Sequence, residues 1–156
     1  MAKPELLAPG TPAPDFNVKN QDGDNVSLSE FKGKKVILYF YPKDNTPGCT
    51  KEACNLRDNH SALTEQGFVV LGVSADSEKS HQKFIAKFDL PFALLSDTEH
   101  EILNKYNVWG EKSMYGRKYE GIHRVTYIID EEGKIEHVIP KVKTGDHTAQ
   151  VLALYN

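Results

Sequence analysis

Apolar segments rich in β-branched and aromatic residues alternate along this chain with longer segments of helical periodicity. Residues 34–42, KKVILYFYP, are almost entirely apolar after the two lysines, as expected of a strand covered on both faces of a sheet. Residues 68–76, FVVLGVSAD, and 91–97, PFALLSD, have the same character, and the intervening SEKSHQKFIAKFD is helix-like. This alternation predicts an α/β fold with parallel strands and with helices on both faces of the sheet.

The flanking segments complete a mixed sheet. Residues 15–31 alternate polar and apolar positions around QDGDN, and residues 123–139 do so around DEEGK, so each is predicted to form a β-hairpin. Further helices are predicted in TEHEILNKYNV and in the C-terminal GDHTAQVLALYN. The first 13 residues, with three prolines, are predicted to be an extended lead-in that packs on the domain. Residues 110–121, with three glycines and few apolar side chains, are predicted to be a long mobile loop.

Length and charge set the broad class of protein. A chain of 156 residues can bury a core without disulfides, so we expect one domain over residues 1–156. A formal net charge of -3 gives no indication of nucleic acid binding. No apolar run approaches the roughly 18 residues of a membrane span, and the N-terminus does not resemble a secretory signal. With only two cysteines we expect a cytoplasmic protein, or a plastid protein if a transit peptide has been removed.

Both cysteines lie in residues 41–54, YPKDNTPGCTKEAC, where the pattern changes from strand to helix. Thr46 is a good N-cap and Pro47 suits the first helical position, so we expect a helix from there to about Gln66, ended by Gly67. Cys49 then occupies the third helical position, where unpaired backbone N–H groups and the helix dipole favour a thiolate. The alternative, a small buried hydrophobic side chain, stays open for a single cysteine.

The spacing of Cys49 and Cys54 is unusual for a disulfide. Five residues of helix turn through about 500° and rise about 7.5 Å, which separates the two Cα atoms by roughly 8.7 Å. A disulfide tolerates at most about 7 Å, so the two thiols cannot join while the helix is intact. The spacing therefore suits a switch in which Cys49 reacts first and the helix opens before Cys54 attacks. Alternatively, Cys54 fills the inner face of the helix.

Other uses of two cysteines fit the sequence less well. A structural zinc site needs four ligands, usually in close pairs, and the six scattered histidines supply no second pair. We read these histidines as structural or solvated, and we do not expect a zinc site. Thiol–disulfide exchange of the thioredoxin kind uses CxxC, which is absent.

The motif PKDNTPGC, with Pro42, Thr46 and Cys49 in the order PxxxTxxC, resembles the active-site signature of peroxiredoxins. The longer YFYPKDNTPGCTKEAC is similar to the bacterioferritin-comigratory, or peroxiredoxin Q, branch. The segments VLGVSADSEKSHQKF, VWGEKSMYG, GIHRVTYIID and KVKTGDH extend the resemblance over almost the whole chain. It implies a thioredoxin-like fold with an N-terminal hairpin extension, and a thiol peroxidase that reduces hydrogen peroxide and organic hydroperoxides.

The resemblance also implies a role for each residue of the motif. Cys49 attacks the peroxide and becomes a sulfenic acid. Pro42 shields the thiolate, and Thr46 hydrogen-bonds the thiolate and the peroxide. Arg124 brings positive charge from a distant strand, although by sequence alone it is equally a surface cation, and Glu52 orients that arginine.

Cys54 lies where many members of this branch carry a resolving cysteine. The resemblance therefore implies an intramolecular Cys49–Cys54 disulfide that thioredoxin, or alternatively glutaredoxin, reduces. It further implies a monomer, or at most a weak dimer. A redox sensor that passes its disulfide to a partner protein uses the same residues and stays open as an alternative.

Overall fold

The computed structural model describes residues 5–155 and contains a seven-stranded mixed sheet and a separate two-stranded ribbon. The strands are β1 (Asn17–Asn20), β2 (Asn25–Ser27), β3 (Lys35–Phe40), β4 (Phe68–Ser74), β5 (Ala93–Ser96), β6 (Trp109–Met114), β7 (Arg117–Ile122), β8 (Val125–Ile129) and β9 (Ile135–Ile139). The helices are α1 (Pro47–Asp58), α2 (His60–Glu65), α3 (Glu78–Phe88), α4 (Glu101–Lys105) and α5 (His147–Leu152). Short 3₁₀ turns, Leu28–Phe31 and Ala153–Tyr155, follow β2 and α5.

The strand order of the large sheet is β2-β1-β5-β4-β3-β8-β9. Strands β3, β4 and β5 are parallel, and antiparallel hairpins extend the sheet at both edges. Strand β3 lies between β4 and β8, with Phe40 opposite Val73 on one side and opposite Val125 on the other. The predicted mixed α/β architecture, with an N-terminal hairpin and a buried central strand, is confirmed.

Successive side chains of a strand point to opposite faces of the sheet, so those of β3 belong to two separate cores. Val36, Leu38 and Phe40 face a core that includes residues of α4. Ile37 and Tyr39 face the opposite core, which α1, α2, α3 and α5 cover. Helices therefore lie on both faces of the sheet, and the helix that carries the cysteines packs on the face of Tyr39.

Gly72 on β4 makes room for the ring of Tyr39. A Cβ at Gly72 would lie 2.9 Å from Tyr39 Cζ and 2.7 Å from Leu94 Cδ2, closer than non-bonded carbons approach. The Tyr39 ring stacks in turn on Tyr41, with ring centroids 5.4 Å apart. These close contacts pack the core next to the junction between β3 and α1.

The prediction of a mobile loop over residues 110–121 is wrong. This segment forms the antiparallel ribbon of β6 and β7, with Trp109 opposite Ile122 and a turn at Tyr115 and Gly116, both of which have positive φ. The pair of Trp109 and Ile122 packs in the core, whereas most of the ribbon is exposed or half-buried and shows little alternation of apolar and polar residues. Without that alternation, its glycines read as loop signals.

The predicted helix from Thr46 to Gln66 is interrupted once. Helix α1 ends at Asp58 and α2 begins at His60, while Asn59 between them leaves helical geometry at φ -113° and ψ 10°. The Asn59 side chain donates to the Asn55 carbonyl at 2.8 Å, an example of an asparagine competing for backbone groups. Gly67, with φ +88°, follows the last turn as predicted.

The extended lead-in packs on the sheet edge. The Gly10 N–H donates to the Ile135 carbonyl at 2.7 Å, and Pro12 forms an isolated bridge with Lys134. Residues 1–4 of the lead-in, and Asn156 of the predicted last helix, lie outside the described residues. Within residues 5–155, no helix is both long enough and apolar enough to cross a membrane.

Candidate active site

Cys49 lies at the start of α1, at the end of the central strand. The Tyr41 N–H still bonds the Val73 carbonyl at 3.1 Å, and residues 42–46 then form a loop that leads into the helix. Thr46 has the extended geometry of an N-cap, and Pro47 is the first helical residue, as predicted. Cys49 is the third, so its backbone N–H is among those without an intrahelical partner. Only 1% of its surface is exposed.

Arg124 reaches Cys49 and Glu52 together. Arg124 Nη2 donates to Cys49 Sγ at 3.3 Å, and Arg124 Nη1 donates to Glu52 Oε1 at 2.8 Å. Arg124 directly precedes β8, and the pairing of Phe40 with Val125 places it beside the end of β3. The structure thus brings together three of the residues that the sequence singled out, with Glu52 one turn of α1 after Cys49.

The charges in this group act on one another. Burial raises the pKa of Glu52 from its ordinary value of 4.5 to about 7, while the Arg124 charge and hydrogen bond oppose that rise. Burial by itself lowers the pKa of Arg124, but Cys49 and Glu52 outweigh it and the pKa rises. The guanidinium therefore stays charged, and the protonation of Glu52 changes within the neutral pH range.

Pro42 and Thr46 lie in the loop before α1, but the Thr46 hydroxyl does not point into the first helical turn. Its Oγ1 donates to the Lys43 carbonyl at 2.8 Å and makes no capping bond. Among the described contacts it does not bond Cys49 Sγ either. In this state the expected contact between Thr46 and the sulfur is absent, because the nearby carbonyl takes the hydroxyl proton instead.

Cys54 lies on the same uninterrupted helix as Cys49, and both are free thiols. Cys49, Ala53 and Leu56 form the inner stripe of α1 and belong to its core, whereas Cys54 is half-buried and lies outside it. The alternative that Cys54 fills the inner face of the helix is therefore wrong. Its position one residue past Ala53 turns it away from that stripe.

A buried polar network holds the loop before α1. Asp44 Oδ1 accepts from the Tyr41 hydroxyl at 2.5 Å, and Oδ2 accepts from the Ser80 hydroxyl at 2.8 Å. His81 Nδ1 lies 2.7 Å from the same Oδ2, and the Asp44 N–H donates to Asp76 Oδ2 at 2.8 Å. The loop is thereby tied through Asp44 to the end of β4 and to α3.

Asp44, Asp76 and His81 also have the composition of a metal site, with ligand atoms within 4.8 Å of one another. His81 Nε2 lies 3.0 Å from the Leu95 carbonyl, which can only accept, so that nitrogen carries a hydrogen. Its Nδ1 lies 2.7 Å from Asp44 Oδ2. Both ring nitrogens are therefore engaged in hydrogen bonds, and the cluster serves as an anchor for the loop.

Sequence reasoning missed the residues of this network and a second buried histidine. His147 Nε2 lies 2.8 Å from Thr126 Oγ1 and 3.7 Å from Glu52 Oε2. Asp44 carried one usable signal, since it follows a buried parallel strand, where α/β folds place functional groups. His147 carried none, because nothing in its own segment indicates which helix it meets.

The β6–β7 ribbon adds a second cation near the sulfur. Lys112 Nζ donates to the Ile122 carbonyl at 2.8 Å. Burial and then Arg124 lower the pKa of Lys112, whereas Cys49 raises it, so the three side chains share one electrostatic environment. The segment that was predicted to be a loop therefore contributes charge to the site.

The arrangement is that of an activated sulfur nucleophile. Cys49 Sγ faces a fixed guanidinium and the unpaired N–H groups of a helix start, which are the groups that stabilise negative charge in a reaction. The same donors can bind the oxygens of a small polar substrate as charge moves onto them. The geometry supports nucleophilic redox chemistry at sulfur.

Comparison with known proteins agrees with this geometry. Residues 9–138 match the AhpC/TSA family. A putative peroxiredoxin bcp of Coxiella burnetii is 54% identical over 143 residues, which cover 92% of this chain and 95% of that protein. Peroxiredoxin Bcp of Escherichia coli is 48% identical over 146 residues, which cover 94% of each.

A solved structure supports the same assignment. The bacterioferritin comigratory protein of Xanthomonas campestris superposes with a TM-score of 0.87 at 34% identity, over 94% of this chain and 96% of that one. The thioredoxin-like fold that the motif implied is thus confirmed. Family membership implies peroxide substrates and a thiol reductant. The chain belongs to the AhpC/TSA family and is a peroxiredoxin of the Bcp type, a thiol peroxidase.

Proposed function

We propose that Cys49 is the peroxidatic cysteine and that Arg124, held by Glu52, stabilises its thiolate and the departing oxygen. The observation that carries this proposal is the fork of Arg124 between Cys49 Sγ at 3.3 Å and Glu52 Oε1 at 2.8 Å. The thiolate forms a bond to the terminal peroxide oxygen, the O–O bond breaks, and the departing hydroxide or alkoxide takes up one proton to leave as water or an alcohol. The product at sulfur is a sulfenic acid.

Pro42 and Thr46 have supporting roles in this proposal. Pro42 starts the loop directly after β3 and shields the sulfur on that side. The Thr46 hydroxyl turns from the Lys43 carbonyl toward the peroxide when substrate arrives, a rotation that needs only one side-chain torsion. The X. campestris relative, described by its alkyl peroxide reduction activity, supports organic hydroperoxides as substrates beside hydrogen peroxide.

Cys54 then resolves the sulfenic acid by forming a disulfide with Cys49 and releasing water. The half-buried position of Cys54 outside the core leaves it free to move once the helix opens. A thioredoxin is the proposed reductant of that disulfide, with glutaredoxin as the alternative donor. The protein needs no cofactor for this cycle.

The oligomeric state, the cellular compartment and the extent of the domain are also proposed. Since both thiols of the cycle lie in one chain, a monomer suffices, and a weak dimer would not change the chemistry. We place it in the cytoplasm, or in a plastid if a transit peptide was removed, because two cysteines are too few for a secreted disulfide framework and the cycle uses thiol reductants. Residues 1–156 act as one domain.

Oxidation must open the part of α1 that carries both cysteines, up to the anchored Asn55. The helix runs unbroken from Pro47 to Asp58, and an ideal helix keeps the two cysteine Cα atoms roughly 8.7 Å apart, beyond disulfide reach. Beyond Cys54, Asn55 is held by α5 and the turn before it. Asn55 Oδ1 accepts from the Thr148 N–H at 2.8 Å, and Asn55 Nδ2 donates to the Gly145 carbonyl at 3.1 Å.

After one equivalent of hydrogen peroxide we expect a Cys49–Cys54 disulfide and faster amide exchange over residues 46–54. Helix α2 should keep its protection, since the Leu63 N–H and the Gln66 N–H bond the carbonyls of Asn59 and Ala62, which lie outside the opened segment. Peptide mapping by mass spectrometry checks the bond, and hydrogen–deuterium exchange of the reduced and oxidised forms checks the opening. In the control, Cys54→Ser, a sulfenic acid should form at Cys49 without faster exchange. A disulfide with unchanged exchange would contradict the opening of the helix.

Steady-state turnover tests the reductant. Peroxide consumption is followed with thioredoxin, thioredoxin reductase and NADPH, and separately with glutaredoxin and glutathione, using hydrogen peroxide and an organic hydroperoxide. We expect the thioredoxin system to support many turnovers of the wild type, and Cys54→Ser to lose most of this activity because no intramolecular disulfide forms. Slow turnover in both systems would instead favour the redox sensor.

A further inference from the structure

Glu52 is fully buried, and one of its carboxyl oxygens has no donor among residues 5–155. Oε1 accepts from Arg124, whereas Oε2 has no hydrogen-bond partner. A buried carboxylate oxygen without a donor is strongly unfavourable. The titratable groups that bear on Glu52 from other elements are Tyr39 on β3, Arg124 before β8 and His147 on α5.

His147 approaches Oε2 but cannot donate to it. Gln150 Nε2 donates to the Lys141 carbonyl at 2.7 Å, and Gln150 Oε1 accepts from the Lys143 N–H at 3.0 Å. That oxygen also faces His147 Nδ1 at 2.9 Å, which assigns the ring hydrogen to Nδ1. Burial lowers the pKa of His147, so the ring is neutral and its Nε2 accepts from the Thr126 hydroxyl.

Two potential anions share one guanidinium in this site. Arg124 donates to both Cys49 Sγ and Glu52 Oε1, and if both are ionised, each anion disfavours the other. A thiolate at Cys49 therefore favours protonation of Glu52. Conversely, protonated Glu52 no longer competes for the Arg124 charge, which then stabilises the thiolate. Lys112 also interacts with this group, but from the side of Cys49 and Arg124. Burial raises the pKa of Glu52 to about 7, so the proton is exchangeable near neutral pH.

We infer that Glu52 carries a proton on Oε2 while Cys49 is a thiolate, and releases it when the sulfur is oxidised. The site then contains its own proton source for the peroxidase step. This inference rests on the proposed role of Cys49. It explains why Oε2 faces no donor, since a protonated oxygen is itself a donor, and His147 Nε2, which carries no hydrogen, lies 3.7 Å away.

The proton balance of the step makes this useful. The thiolate gives two electrons to the peroxide, an S–O bond forms, the O–O bond breaks, and RO⁻ leaves. One proton is then required to give a neutral sulfenic acid and ROH. The neutral sulfenic acid no longer competes for Arg124, so Glu52 ionises against that guanidinium, and its proton completes the balance.

Proton uptake during a single oxidation tests the inference. The Cys54→Ser protein stops at the sulfenic acid, and a pH indicator in weak buffer at about pH 8, where Glu52 beside a neutral sulfur is ionised, reports protons taken from solution. The thiolate fraction is measured from its ultraviolet absorbance. We expect Cys54→Ser to take up a small fraction of a proton per thiolate. Adding Glu52→Gln should raise this to about one, whereas the matched control Glu65→Gln, on the exposed face of α2, should leave it unchanged.

Infrared difference spectroscopy gives a second readout that needs no change at Glu52. Oxidation of Cys54→Ser should remove one protonated-carboxyl C=O band, and Glu52→Gln should lack that band from the start. Equal proton uptake with and without Glu52, or no loss of a carboxyl band, would overturn the inference while Cys49 still becomes a sulfenic acid. If peptide mapping finds no oxidation of Cys49, the proposed function fails, and the inference fails with it.

Discussion

Cys49→Ser is expected to abolish peroxide turnover, lowering the rate constant for reaction with hydrogen peroxide by about 10⁴-fold or more. Serine has no accessible anion at neutral pH and cannot form a sulfenic acid, so the donors of Arg124 and the helix start have no nucleophile to act on. Stopped-flow measurement of peroxide consumption over one turnover checks the result.

Cys54→Ser is the matched control for this loss. It exchanges the same atoms five residues further along α1, and it should still consume one equivalent of peroxide at nearly the wild-type rate. Circular dichroism of both variants checks that they keep their fold. Full single-turnover activity in Cys49→Ser would overturn the assignment of the nucleophile, and its loss in Cys54→Ser alone would transfer that role to Cys54.

Arg124→Ala should lower the rate constant with peroxide by about 10²- to 10³-fold, as expected for the loss of a donor aimed at developing charge. Without the cation beside it, a larger share of Cys49 should be thiol at neutral pH, which the pH dependence of alkylation by iodoacetamide reports. Arg124→Lys should recover only part of the rate, because an ammonium cannot fork between sulfur and carboxylate. Arg117→Ala, at the exposed end of β7, is the control.

Arg124→Ala should also change the pH dependence of stability. The pKa of Glu52 in the folded protein is raised to about 7 from an ordinary value of 4.5, so the folded state keeps a proton that the unfolded state loses. This effect lowers stability as pH rises between about 4.5 and 7. Removal of Arg124 raises the pKa further, so the loss should continue above pH 7. Denaturant unfolding across that range measures it, and an unchanged pH profile with unchanged alkylation would show that Arg124 does not face the site.

Much of the fold could be predicted because its signals are local. The strands β3, β4 and β5 are continuous apolar runs, and the Thr46–Pro47 pair marks the start of α1 within the sequence itself. The exposed ribbon could not be predicted in the same way, since most of its residues lie outside the core and do not alternate between apolar and polar. The break at Asn59 depends on one side-chain hydrogen bond, which leaves no periodic signature.

The residues of the site differ in the same way, since some have local sequence signals and others depend on tertiary contacts. Cys49 and Thr46 are adjacent to recognisable helix signals, so their positions follow from residues within a few places of them. Arg124 depends on the register between β3 and β8, and no short segment encodes that register. His147 depends on how α5 packs against α1, so the contact with Glu52 becomes visible only in the assembled structure.

Cys49 and Arg124 are far apart in the sequence, and this has a consequence for the chain during synthesis on the ribosome. Arg124 and Cys49 are 75 residues apart, and the pairing of Phe40 with Val125 brings them together. As the chain emerges from its N-terminal end, β3 and α1 are available long before β8. During that interval Cys49 has no guanidinium beside it, so a nascent or truncated chain should be much less reactive toward peroxide. Full reactivity then appears only when β8 pairs with β3, so an unfinished chain is protected from oxidation at Cys49 while the cell is under peroxide stress.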